Sequence, residues 1–114
     1  MASPIHNDGR FPNNFEETIA LASDVTFYIG QSGTENATTK YISKINSTGG
    51  QCYATGFVLR PSATVNIVGW NGITFRNPIT VTTAGFSITK NIEEIRSIVI
   101  RTLTADTIVR LFLT

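Results

Sequence analysis

The chain has 114 residues, enough for one domain with a modest hydrophobic core and no covalent staples. A formal charge of +1 excludes bulk attraction to nucleic acid or to an acidic membrane, and the lone Cys52 excludes an internal disulfide framework. Charged residues make up 15% of the chain, below the roughly 25% of average soluble domains, so Thr, Ser, Asn and Gly do much of the solubilising, which suits surfaces that end against other protein and equally an ordinary extracellular sandwich.

Residues 1–15 show no period. Ile5, Phe11 and Phe15 stand apart among Pro4, Asn7, Asp8, Gly9, Pro12, Asn13 and Asn14. Spaced apolar residues on a Pro-marked segment suit an extended N-terminal arm that fills pockets on a neighbour; the plainer alternative is a frayed tail. Met1-Ala-Ser-Pro4 opens a polar stretch without an apolar h-region, so no secretory signal is expected, and no apolar run approaches the length of a membrane span. Residues 16–114 read as a single sandwich domain.

Glu17 to Ala22 and Val25 to Ile29 form the first ordered region, and Val25, Phe27 and Ile29 alternate with Thr26 and Tyr28 at the period of a strand. Gly30 to Thr38 is a polar loop, a connection or a place for a binding site. Lys40 to Ile45 alternates again, and Asn46-Ser-Thr-Gly-Gly50 ends it. The acceptor patterns Asn36-Ala-Thr38 and Asn46-Ser-Thr48 are read as chance in so Asn- and Thr-rich a chain. Gln51 to Arg60 carries Tyr53, Phe57, Val58 and Leu59, with Gly56 marking a bulge or close approach and Pro61 closing the strand. Cys52 reads as a small core residue.

Asn71-Gly72, flanked by Val65, Ile67, Ile73 and Phe75, is a strong hairpin signal, because both central residues of a type I′ turn need positive φ. Val65 and Ile67 should face the core, and Trp70 is either a lid on the end of it or an exposed aromatic. Ile79 to Thr82 and Phe86 to Thr89 read as further strands, and Lys90 to Ile95 as at most one helical turn. The last stretch, Arg96 to Thr114, reads as a β-hairpin turning at Thr104-Ala105-Asp106. Ile98 and Ile100 share one face; Val109, Leu111 and Leu113 share another, opposite Ile108, Arg110 and Phe112. Neither strand has a cleanly polar side, so another sheet, the arm or a second subunit should cover part of the outer face. About nine short strands between turns predict an all-β fold, an antiparallel β-sandwich or jelly roll.

Residues for catalysis are scarce. Glu16-Glu17 and Glu93-Glu94 project to opposite faces of an extended chain and cannot converge on one substrate. With His6 as the single histidine there is no triad, no Cys-His pair and no zinc set, and no phosphate loop is present. Arg96, Arg101 and Arg110 are expected to pair with Glu93, Glu94 or Asp106, or with acids of another subunit, rather than line a nucleic-acid groove. The reading is therefore of no enzyme, cofactor, metal, nucleic acid or membrane.

The ending Ile95-Arg-Ser-Ile-Val-Ile-Arg-Thr-Leu-Thr-Ala-Asp-Thr-Ile-Val-Arg-Leu-Phe-Leu113 resembles the closing hairpin of small all-β virion proteins of tailed bacteriophages. The likeness spans about the C-terminal third, from Trp70. It implies a non-enzymatic structural protein, a capsid decoration or cement protein or a neck or tail component, made in the host cytoplasm and carried in the virion. Its implied partners are further copies of itself, with a trimer favoured, and other virion proteins such as a major capsid protein. Candidate subunit contacts are Ile5, Phe11, Phe15, Ile108, Arg110 and Phe112. The alternative is a carbohydrate-binding or adhesin-like module using Trp70, Tyr28, Tyr41 and Tyr53 as stacking platforms.

Overall fold

A computed structural model describes residues 13–20, 24–42, 56–89 and 95–113. Among them are nine strands: β1 (Asn13–Ile19), β2 (Val25–Ile29), β3 (Thr39–Ile42), β4 (Gly56–Pro61), β5 (Val65–Trp70), β6 (Ile73–Val81), β7 (Phe86–Thr89), β8 (Ser97–Thr102) and β9 (Thr107–Leu113). They form a four-stranded sheet, β1-β9-β4-β7, and a five-stranded sheet, β3-β2-β8-β5-β6.

The period of two read from the sequence is what packs the sheets together. From the five-stranded sheet Val25, Phe27, Val65, Ile67, Ile98 and Ile100 point inward; from the other, Phe57, Leu59, Val109, Leu111 and Leu113 meet them, each 0–1% exposed. Burying a side chain of this size contributes about 1.5–3 kcal/mol, so these inward faces carry most of the stabilisation. The expected all-β sandwich is what the chain forms.

Its topology is that of a jelly roll. β5 and β6 pair through the Asn71-Gly72 turn; outside them β4 pairs with β7, then β2 with β8, then β1 with β9, all antiparallel. The chain is thus one long nested hairpin whose successive pairs lie in alternating sheets. Its tip is Asn71-Gly72, with φ of 50° and 80°, the two positive values that a type I′ turn requires. Asn71 also fastens the tip to the start of β8: its Oδ1 accepts from the backbone N–H of Arg96 at 2.7 Å and of Ser97 at 3.2 Å, while its own N–H donates to Ser97 O at 3.0 Å.

The terminal hairpin expected over Arg96 to Thr114 is not formed. β8 and β9 lie in different sheets, so Leu103 to Asp106 arches from one sheet to the other. Each strand is interior to its own sheet, β8 between β2 and β5 and β9 between β1 and β4. The apolar faces seen in the sequence are real, but they face each other across the core. The turn fits this path: only Asp106 has positive φ, 56°, one short of a type I′ pair, and Thr107, 1% exposed, donates its hydroxyl to Thr104 O at 2.6 Å.

Three further expectations are corrected. β1 begins at Asn13, so Phe15, assigned to the arm, is a strand residue opposite Leu111, with its ring edge-on to Phe27 at 5.8 Å. β3 runs parallel to β2. This is possible because the intervening loop doubles back along the β3 edge: Glu35 Oε2 accepts from the Tyr41 N–H at 2.9 Å, and Asn36 bridges to Thr39. The demanding glycine is Gly69 rather than Gly56, which begins β4. At Gly69 the register of β5 shifts against both neighbours, and a Cβ there would strike the carbonyl oxygen of Ile73. Cys52 and all but the last residue, Ile95, of the turn suggested over Lys90 to Ile95 lie outside the described residues.

Candidate assembly surface

The outer face of the four-stranded sheet is built by β9 and its neighbours. With Val109, Leu111 and Leu113 inward, Ile108, Arg110 and Phe112 face out, each half-buried. The same alternation turns Val58 and Arg60 out of β4 and Glu16 and Thr18 out of β1. Register then sorts them into cross-strand rows: Thr18 beside Ile108; Glu16, Arg110 and Arg60 side by side; Phe112 beside Val58. A charged row thus separates Ile108 at one end of the face from Phe112 and Val58 at the other.

Within that row Arg110 Nε donates to Glu16 Oε1 at 3.1 Å. The pair is largely exposed, so it sets position more than stability. Arg60 directs its guanidinium over the Phe112 ring, 5.7 Å from the centroid, an attraction of the ring quadrupole for the cation. Its stem lies beside Gly85, where a Cβ would come within 3.1 Å of Arg60 Cγ. Among the described residues Arg60 forms no ion pair, so two cations and one anion share the row.

The opposite outer face, on the five-stranded sheet, is differently equipped. Tyr28 and Tyr41, opposite each other on β2 and β3, stack with centroids 5.2 Å apart and 20° between planes. Arg101 grips Asp24 through Nε at 2.8 Å and through its terminal nitrogen at 3.4 Å. The hydrogen bond first, and the carboxylate charge second, raise the guanidinium above its ordinary pKa. At the sandwich edge Glu17 turns inward and meets Lys40 at 3.8 Å, joining β1 of one sheet to β3 of the other.

The candidate residues therefore separate. Ile108, Arg110 and Phe112 come together on one face, and Phe15 is committed to the core side of β1. Ile5 and Phe11 lie outside the described residues. Of the stacking candidates, Tyr28 and Tyr41 share a surface, whereas Trp70 closes the end of the core, edge-on to Phe57 at 6.3 Å and to Phe75 at 4.9 Å. Tyr53 lies outside the described residues. Glu16 and Glu17 do face opposite ways, each toward a cation, and among the described residues Arg101 pairs with Asp24 and Arg110 with Glu16, neither with Asp106. Glu93 and Glu94 lie outside the described residues.

Sequence reasoning missed Val58, Arg60 and Glu16 as parts of this face. The alternation in Phe57-Val-Leu-Arg60 was the available signal, but only the strand order reveals that β4 and β1 flank β9. Among the described residues there is neither a cluster of three metal-ligating side chains nor a helix long and apolar enough to cross a membrane. No family model matches the chain, and neither a curated protein nor a solved structure matches it significantly.

Proposed function

We propose that the chain is a non-enzymatic structural protein of a phage particle, a capsid decoration or cement protein that acts by contact with further copies of itself and with a major capsid protein. The observation that carries this reading is the outer face of β9, where Ile108 and Phe112 stand half-buried on an interior strand with Val58, Arg60 and Glu16 beside them. Apolar side chains on either side of a short charged row suit a protein contact, in which the apolar groups supply affinity and the charges set orientation. The fold itself does not choose, since jelly rolls serve capsid and lectin domains alike. The test is immunogold labelling of purified particles, with mass spectrometry of their proteins. A regular label over the head supports decoration, a label confined to the tail moves the protein there, and absence from the particle overturns the reading.

A carbohydrate-binding module is the second reading, favoured by the Tyr28–Tyr41 pair on the other face. Because the two rings cover each other, a sugar would meet only their outward sides. Glycan-array binding that Tyr28→Ala and Tyr41→Ala both abolish is the expected result for that module; binding to no glycan removes it.

A further inference from the structure

We infer that the outer face of the four-stranded sheet is a self-complementary contact with a second copy of the chain, related by a two-fold axis running along β9; this deepens the assembly reading and rests on it. Two sheets packed face to face lie about 10 Å apart with strands within about 30° of parallel. A two-fold that exchanges them must lie in the plane between them, either along the strands or across them. The row Glu16, Arg110, Arg60 distinguishes the two choices.

An axis across the strands sets Glu16 against the partner's Glu16 and Arg60 against the partner's Arg60, like charge on like. An axis along β9 exchanges the flanking strands, so that Glu16 meets the partner's Arg60 and Arg60 meets the partner's Glu16. Arg110 meets its own copy in both cases, already joined to Glu16 on its own sheet. The apolar groups are matched by either axis, Phe112 meeting the partner's Ile108 in the first, and Phe112 meeting the partner's Phe112 and Ile108 the partner's Ile108 in the second, so the charges make the choice. An isologous contact of this kind closes at two copies, so a dimer, rather than the trimer implied by the resemblance, is the expected species.

Size predicts how strong it is. With the axis along β9, β1, β9 and β4 overlap the partner's β4, β9 and β1; strands of six or seven residues, at about 3.4 Å per residue and about 4.8 Å spacing, give a contact of roughly 24 by 14 Å. Two such faces bury an area below the roughly 1,000 Å² at which stable specific interfaces begin. The dimer should therefore be weak and concentration-dependent in solution, gaining effect where many copies are held together.

The test is sedimentation equilibrium of the full chain over a range of concentrations. The expected result is a reversible rise from the chain mass of 12.4 kDa to twice that value. Arg60→Glu and Glu16→Arg should each weaken the dimer at least tenfold with an unchanged circular dichroism spectrum, and an equimolar mixture of the two variants should restore it, because each then meets an opposite charge at both contacts. Phe112→Ser should abolish the dimer even in the mixture. A monomer at the highest concentration, a trimer, a dimer indifferent to both charge reversals, or a dimer lost only on deleting residues 1–12 would each overturn the inference. None of these outcomes touches the immunogold result, so the contact and the particle reading can fail separately.

Discussion

Asn71-Gly72 returns β5 onto β6 within one sheet, whereas Leu103 to Asp106 carries the chain from β8 in one sheet to β9 in the other. Both segments join two strands of at least six residues, and both contain a non-glycine residue with positive φ. The hairpin is held by the residues of its turn: two positive-φ residues, an Asn71 Oδ1 that accepts from the N–H groups of Arg96 and Ser97 at the start of β8, and a bulge at Gly69 that only a glycine fits. The arch is held by its flanking strands. Ile98 and Ile100 on one side and Val109, Leu111 and Leu113 on the other are buried against the opposing sheet, and the turn itself is mostly exposed, with Leu103 at 51%. A hairpin depends on its turn; an arch depends on its core.

If this distinction holds, substitutions near the hairpin tip should cost more than those in the arch. The largest effect is expected at Gly69. In Gly69→Ala the new methyl meets the Ile73 backbone rather than a side chain that can rotate away, so the hairpin must shift, at about 3 kcal/mol of stability measured by guanidinium unfolding. A loss well below about 1 kcal/mol would mean that the bulge opens freely. Next is Asn71→Ala, which removes the acceptor of two backbone N–H groups and places alanine at a φ of 50°. Together these should cost about 2 kcal/mol. Amide hydrogen exchange should accelerate at Arg96 and Ser97 before it changes in β9.

In the arch, Thr107→Val keeps the shape of a buried side chain and deletes its hydrogen bond to Thr104 O. The carbonyl lies at an exposed turn residue and can turn to water, so the expected loss is about 1 kcal/mol, from the buried side alone. A loss equal to that of Asn71→Ala would erase the contrast between the two turns.

The difference also explains how far the sequence could be read. Alternation located most strands, turned Val65 and Ile67 toward the core and grouped Val109, Leu111 and Leu113 on one face, because burial on one side leaves a period of two. Asn-Gly was legible because its φ requirement is local. The arch was misread as a hairpin because a turn flanked by apolar alternation looks the same whether the next strand lies beside the last or across the core from it. What decides is which strands occupy the edges of β8 and β9, and those, β2, β5, β1 and β4, come from distant parts of the chain. The candidate surface was half-legible for the same reason: Ile108, Arg110 and Phe112 follow from β9 alone, while Arg60 and Glu16 join them only through register.

The smallest effect is expected at Asp106, and it gives the sharpest comparison. Asp106 and Asn71 have nearly equal positive φ, 56° and 50°, so replacing either by glycine relieves the same backbone cost while adding the same freedom to the unfolded chain. These opposing terms are each about 1 kcal/mol and nearly cancel. Asp106→Gly should therefore change stability by less than about 0.5 kcal/mol. Asn71→Gly keeps that cancellation but loses the Oδ1 bonds to Arg96 and Ser97, and should cost about 1–1.5 kcal/mol. The difference between these two substitutions isolates the side-chain fastening of the tip from the backbone strain that both turns share. Equal effects would mean that the tip, like the arch, is held by the strands on either side of it rather than by its own residues.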